Sequence, residues 1–561
     1  MSGIDYAEKS RWDFIKHRMW KKQSKRKLCN QLENESELRR CLNYFDLICY
    51  GLGANIGSNF FLFIGELLLI AGPSICISFF VGGVISMITA VCFAELSSRI
   101  PTNGGQYSYV YIYYGECIGW IAFVLMSFEY GLSSALNAVG FMHTLKVAIN
   151  EVGFSIPDYW ISTDIWKDVI SINPAATIMI VLLILLMLRG IKESITVNNI
   201  FTVGIMLFYQ YANVLSIAIF DYNKAQPFFR NGEIGVMRGA AVAFFGYTSF
   251  EQPITVAEEA INPQRDLPKS LTRQIMIETV QYSVLAYLVS GFINIDKIDP
   301  SNENTQIPNG LKEAGYPWHG YFILIGTLIG MFPAVLDSLL SQTRILYRVS
   351  KDNVIGKRFM SVNPKTKVPQ YSVIFTGVVI LVIVLLFDIS FLAQFISLST
   401  LCGYCLIMSI VAFKKMARKT WSAVLQGLLF FLSMALGFIH SMQTNSDYLL
   451  LTILAGVILN ILVILIEAKV HPDLATMQED ERENLIFKDK PYTCMWNPFL
   501  PSIGISCSAL VIGYMDIVVW SSFFIGTILI GISYFLYVIP RKHKEKLSKM
   551  QQSQKNGNLQ I

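Results

Sequence analysis

An apolar stretch long enough to cross a bilayer, yet broken in its middle by glycines, constrains this chain more than any other feature. It reads Gly51-Leu-Gly53-Ala-Asn55-Ile-Gly57-Ser58-Asn59-Phe-Phe. Backbone groups left unpaired in hydrocarbon cost roughly several kcal/mol each, so a break survives only where other groups pair them. Small residues also let helices pack closely, which is the plain structural alternative. The functional reading is an unwound segment at residues 55–59. A half-helix starting after Ser58 then points free N–H groups and its positive dipole end at a carboxylate. The same glycines resemble a dinucleotide-binding turn, but no strand precedes them and no βαβ unit surrounds them.

The rest of the chain fits a membrane setting. Of its 561 residues 53% are hydrophobic and 15% charged, against about 25% charged in soluble domains. Apolar runs near the ~20 residues needed to span a bilayer recur from about residue 45 to 540, about fourteen in all. Two of them are expected at 422–441 and 447–468. Basic residues cluster in the arm (Lys16 to Lys27), in the tail (Arg541 to Lys546) and in alternate loops. By the positive-inside rule both ends are cytoplasmic, which requires an even number of spans. The first 40 residues are polar and show no cleavable signal pattern. The ten cysteines sit mostly in spans or on the cytoplasmic side, so no disulfide framework is implied. Net charge +5 with terminal basic clusters suits an anionic leaflet of membrane lipids rather than nucleic acid.

A second break is expected at Gly246-Tyr247-Thr248-Ser249-Phe250-Glu251-Gln-Pro253. Pro253 removes a donor and clashes with the preceding turn, and Gly246 loosens the chain. Glu251 within an apolar span costs roughly 2.5–3.5 kcal/mol, so it lines a cavity or pairs with a neighbouring helix. Carbonyls freed at this break would face an ammonium group. Further intramembrane acids are Glu66, Glu129 and Asp337, with Glu116 at the mouth of the third span. The run Glu258-Glu259-Ala-Ile-Asn262-Pro263 and the basic residues after it mark a cytoplasmic loop and, taken alone, nothing more. Cys402-Gly-Tyr-Cys405 has redox-motif spacing but lies within a span, outside any thioredoxin-like context. Glu481 to Ile486 fits an acidic dileucine sorting pattern of a kind common by chance.

Together these stretches resemble the amino acid–polyamine–organocation transporter superfamily, and within it the cationic amino acid transporter family. The resemblance rests on Gly51–Phe61, on Glu95 to Trp120, and on Phe250-Glu251 with Glu258-Glu259 and Asn262-Pro263-Gln264. It continues through Arg344-Ile-Leu-Tyr347 to Pro369, Phe395 to Tyr404, and Asn497-Pro498-Phe-Leu-Pro501. It implies an all-α polytopic membrane protein with a five-plus-five inverted-repeat (LeuT-type) transporter fold. The expected organisation is a cytoplasmic arm at 1–43, repeats at 44–220 and 236–415, four further spans at 420–539 and a tail at 540–561.

Carried over residue by residue, N–H groups of Gly57, Ser58 and Asn59 would hold a substrate carboxylate. Carbonyls of Asn55, Phe245 and Thr248 would hold its ammonium, and Phe245 would gate. Phe250, Glu251, Glu129 and Asp337 complete the expected substrate-binding set. Gly53, Pro253 and Glu116 are expected in gating or structural roles. Asn59 stands where the family usually has a glycine, and Ile205 where some proton-coupled relatives have a lysine. Asp337 replaces a small residue, and a carboxylate there could pair with a cationic side chain. The implied function is amino acid transport by alternating access, of arginine or lysine. Neutral amino acids, polyamines or a non-transporting sensor are the alternatives. No enzyme chemistry, cofactor or metal is expected. The membrane is that of the cell surface or of an endolysosomal or vacuolar compartment, and the sequence sets no oligomeric state.

Overall fold

The structure, a computed structural model, describes residues 40–56, 59–151, 163–166, 170–298, 306–384, 389–414, 499–515 and 517–538, with a few shorter pieces between. Gly57, Ser58, the dileucine pattern and nearly all of the two spans expected at 422–468 lie outside the described residues. The first span is two helices, α1 (Tyr44–Ile56) and α2 (Asn59–Ala71). Gly72, at φ +64°, turns the chain into α3 (Ile75–Arg99). A side chain there would be strained and would also meet Arg230 Cβ at 2.8 Å. Then come α4 (Gly105–Tyr114), α5 (Glu116–Glu151), α6 (Pro174–Arg189) and α7 (Ile191–Ala218). The sixth span begins with α8 (Gly232–Ala243) and resumes as the single turn α9 (Gln252–Thr255). It is followed by α10 (Pro263–Ser290), α11 (Gln306–Glu313), α12 (Pro317–Lys351), α13 (Gln370–Val384) and α14 (Ile389–Lys414). Last are α15 (Phe499–Gly513) and α16 (Ile517–Ser533).

One departure from the all-helical expectation is a small antiparallel hairpin, Thr163–Trp166 with Ile170–Ile172, between the third and fourth spans. Outside the bilayer water can satisfy strand edges, so a hairpin is permitted there.

Among the described residues five segments are long and apolar enough to cross a membrane: Phe63–Arg99, Glu116–Asn150, Ser194–Ala218, Pro317–Lys351 and Phe395–Ala412. Three shorter apolar helices accompany them. Large apolar side chains stand outward along α7, α10 and α13, among them Leu207, Val214, Val280 and Val378. Such faces would drive aggregation in water and are covered by lipid in a bilayer. The protein is therefore an integral membrane protein.

Helix packing follows a pattern. The most extensive contacts join α3 to α10 and α5 to α12, the second span to the seventh and the third to the eighth. The third span also packs on the tenth, through α5 and α14, and the eighth on the fifth, through α12 and α7. Advancing each span number by five, cyclically, turns one of these last two contacts into the other.

Candidate substrate site at the two helix breaks

α1 is described to Ile56 and α2 from Asn59, with Gly57 and Ser58 between them outside the described residues. Two tyrosines meet the backbone there. Tyr282 of α10 donates its hydroxyl to the Asn55 carbonyl at 2.9 Å, and Tyr209 of α7 donates to the Ile56 carbonyl at 3.0 Å. The Asn55 side chain donates to both carboxyl oxygens of Glu278, at 3.2 and 3.3 Å. Tyr282 is also a packing hub, stacked on Phe60 and edge-on to Tyr247. Gly51 lets Gln274 approach closely: a Cβ there would stand 1.7 Å from Gln274 Oε1, and that side chain would have to move. Gln274 in turn donates to the Phe250 carbonyl and so ties the two breaks together.

The second break has a different construction. After α8 the chain tightens into a 3-10 turn, Phe244–Tyr247, and then extends at Thr248 (φ −70°, ψ 152°). Ser249 follows at φ +70°, a left-handed conformation uncommon for a residue with a Cβ. Its N–H donates to Glu129 Oε1 at 2.9 Å and its hydroxyl reaches the same oxygen at 3.3 Å. The break therefore falls inside the expected Gly246–Pro253 segment, with Ser249 at its left-handed position. Gly246 lies within the 3-10 turn, and Pro253 sits in the first turn of α9, where a missing N–H costs nothing.

Glu251 is fully buried and accepts from two hydroxyls, Tyr130 at 2.6 Å and Tyr404 at 2.5 Å. Of the two sequence alternatives, it pairs with neighbouring helices. Asn55, Ile56, Phe245, Thr248, Ser249 and Glu251 are all at most 2% exposed, so the breaks are occluded in this conformation. The carbonyls assigned to an ammonium already hold donors: Asn55 has Tyr282, and Phe245 has the N–H and hydroxyl of Thr248. Each carbonyl has two lone pairs, so the Asn55 carbonyl keeps capacity for a ligand while that of Phe245 is spent. The Phe245 ring packs edge-on to Phe63 of α2 at 5.1 Å, across the breaks. Phe250 points elsewhere, against Phe93 and Tyr404.

Two expected residues lie apart. Glu116 opens α5 and accepts from Tyr111 and Tyr534, each at 3.3 Å, in a buried cluster distinct from the breaks. Asp337 of α12 faces α1 beside Gly53. Several site residues escaped the sequence reading, although α10 carries a polar stripe at Gln274, Glu278 and Tyr282, spaced by one helical turn.

The acids of the loop after the sixth span also form more than a loop. Arg344 pairs with Glu259 at 2.6 Å, both buried, and Arg348 lies 3.7 Å from Glu258 and 3.1 Å from Asp352. Asn103 accepts from the Glu258 N–H at 2.6 Å, and Cys41 and Leu42 donate to the Glu259 carbonyl. This ionic layer seals the end of the molecule where the sixth and eighth spans finish. The i, i+4 spacing of Arg344 and Arg348 was its sequence signal.

The sequence profile described as amino acid permease matches residues 42–466. A vacuolar cationic amino acid transporter of Arabidopsis thaliana is 28% identical over 375 residues, 66% of this chain and 62% of the relative. A branched-chain amino acid permease of Bacillus subtilis is 28% identical over 405 residues, covering 72% and 86%. A methylthioribose transporter of the same bacterium is 27% identical over 380 residues, covering 67% and 82%. The match thus spans less than two thirds of the plant relative's length.

Proposed function

This chain belongs to the amino acid permease family, and we propose that it carries amino acids, cationic ones foremost, across a membrane. It is a transport protein and not an enzyme. The observation that carries the cationic reading is the charge around the breaks. Glu129, Glu251 and Glu278 are buried carboxyl groups, and among the described residues no Lys or Arg pairs with any of them. Such groups are costly in a bilayer unless a pathway or ligand uses them. In this reading N–H groups of Gly57, Ser58 and Asn59 hold the substrate carboxylate, as the family resemblance implies, and the Asn55 and Thr248 carbonyls suit its ammonium.

The exchange pattern of the span contacts supports a five-plus-five repeat of LeuT type; apolar run lengths and loop charges support about fourteen spans with both ends cytoplasmic. Alternating access then follows from rocking the broken spans against the rest. Breaking the buried ionic layer of Arg344, Arg348, Glu258 and Glu259 opens the cytoplasmic side.

The Bacillus branched-chain relative favours a second reading, transport of neutral amino acids, in which the buried acids serve structure alone. Uptake of labelled arginine, lysine and leucine into proteoliposomes, with and without a pH gradient, decides. Arginine or lysine uptake above empty vesicles, competed poorly by leucine and putrescine, is the expected result. Leucine uptake alone would overturn the cationic assignment, and no uptake of any amino acid would overturn transport.

A further inference from the structure

The loop joining α12 to α13 carries charge that neither the helix breaks nor the ionic layer uses. From Asn353 to Val384 the chain holds Lys357, Arg358, Lys365 and Lys367 and no acid. Asp352, just before this run, is taken by Arg348 at 3.1 Å and by the Tyr107 hydroxyl at 3.2 Å. Among the described residues neither Lys357 nor Arg358 has a carboxylate partner, and both are exposed. They stand side by side on a 3-10 turn, Lys357–Met360, that is pinned on two sides. Ser350 of α12 donates its hydroxyl to the Gly356 carbonyl at 2.6 Å, and Ser372 of α13 donates to the Phe359 carbonyl at 2.7 Å. The Phe359 ring packs edge-on to Phe375, with centroids 5.0 Å apart.

Between this turn and α13 lies a groove of about 760 Å³, within the size range of small-molecule sites. It is lined by Lys357 and Arg358 from the turn and by Tyr371, Ile374, Phe375 and Val378 from α13. Those α13 positions follow one another at i, i+3, i+4 and i+7, so they share one helical face. Each is about half exposed, which is how a face covered by lipid reads when protein alone is considered. Tyr371, in the first turn of α13, and the two cations mark the level of the lipid headgroups. An ordinary lipid-facing helix offers a convex, uncharged surface. Here two fixed cations border a concave apolar one.

We infer that this groove binds an anionic phospholipid, its phosphate held by Lys357 and Arg358 and an acyl chain laid along the α13 face. Arg meets phosphate oxygens through paired N–H donors, and Lys adds a point charge. The two neighbouring cations repel one another, and a phosphate between them turns that repulsion into attraction. Loop charge places this end on the cytoplasmic side, where the leaflet carries anionic lipid and basic pockets beside spans hold such headgroups. The turn is already fastened to both flanking helices, so little ordering opposes binding. A lipid seated there holds the ends of the eighth and ninth spans together. The site stands whatever the chain carries, so its test uses binding alone.

The purified full chain in neutral detergent is mixed with phosphatidylglycerol or with phosphatidylcholine of the same acyl chains, and bound lipid is counted by native mass spectrometry. The expected result is saturable binding of phosphatidylglycerol that survives excess phosphatidylcholine. Replacing both cations, Lys357→Gln with Arg358→Gln, weakens it by about thirtyfold, roughly fivefold for each charge near the surface. Ile374→Trp fills the groove without changing charge and weakens it by about tenfold. Lys365→Gln with Lys367→Gln removes the same charge from the same loop outside the groove lining and leaves binding unchanged. Equal retention of the two lipids overturns the assignment. So does an equal loss in the Lys365 and Lys367 variant, which makes the attraction a diffuse field of the loop. Displacement of the lipid by inorganic phosphate over the same concentration range gives the cations to a free anion and also overturns it. Should the Lys357 and Arg358 variant fail to fold, Ile374→Trp decides, and undiminished binding there overturns the groove.

Discussion

The first and sixth spans differ in how their backbones are held at mid-length. The first is written in glycine: Gly51 and Gly53 let neighbouring helices press against the backbone, and tyrosines from α7 and α10 satisfy the carbonyls that follow. The sixth has no glycine at its left-handed position. Ser249 takes φ +70° because Glu129 of the third span holds its N–H. Close packing over glycines marks the first span, and a tertiary hydrogen bond at a left-handed residue opens the sixth. Strain of the second kind, on the order of 1–3 kcal/mol, persists only where surroundings over-determine it.

That contrast can be broken experimentally. The largest effect is expected from Glu129→Ala, which orphans the buried Ser249 N–H. Uptake in proteoliposomes should fall by about tenfold to hundredfold, the equivalent of the ~1.5–3 kcal/mol carried by hydrogen bonds to charged groups. Normal uptake by this variant would mean the second break does not need the third span. Ser249→Val should cost about 2 kcal/mol in unfolding experiments, because a β-branched residue at positive φ is a genuine outlier. Ser249→Gly should be close to neutral, trading relieved strain for a lost hydroxyl contact. A Ser249→Val protein as stable as Ser249→Gly would remove the claim of strain.

Smaller effects sharpen the comparison at the first break. Tyr282→Phe should cost about 1 kcal/mol, since it deletes the donor to the Asn55 carbonyl while keeping the ring against Phe60. A double-mutant cycle with Tyr209→Phe tests whether the two hydroxyls act as one clamp, shown by a coupling energy above ~0.5 kcal/mol. The smallest change is expected from Gly246→Ala, within about 0.5 kcal/mol. Its new methyl would meet the Tyr282 ring at 3.3 Å, and the φ there needs no glycine. A large loss would mean that the break depends on Gly246 as well as on Ser249.

Sequence alone reached the membrane class and the neighbourhood of the second break. Hydrophobic run length and glycine placement are local properties, and a bilayer punishes unpaired backbone so heavily that they suffice. It missed the tyrosines, Gln274 and Glu278 because a polar residue in an apolar run reveals a cost and not a partner. The partners of Glu251 lie 121 and 153 residues away in the chain. The ionic layer around Arg344 and Glu259 likewise joins segments that read separately as a helix end and a loop.

Asp337 shows the division most sharply. From the sequence it was a carboxylate able to pair with a cationic side chain. In the fold it stands beside Gly53, with Asn198 and Thr202 next to it. Which residues must be buried was set by composition and period. Which buried polar groups meet was set only by three-dimensional packing, because hydrogen bonds act over about 3 Å whatever the distance along the chain.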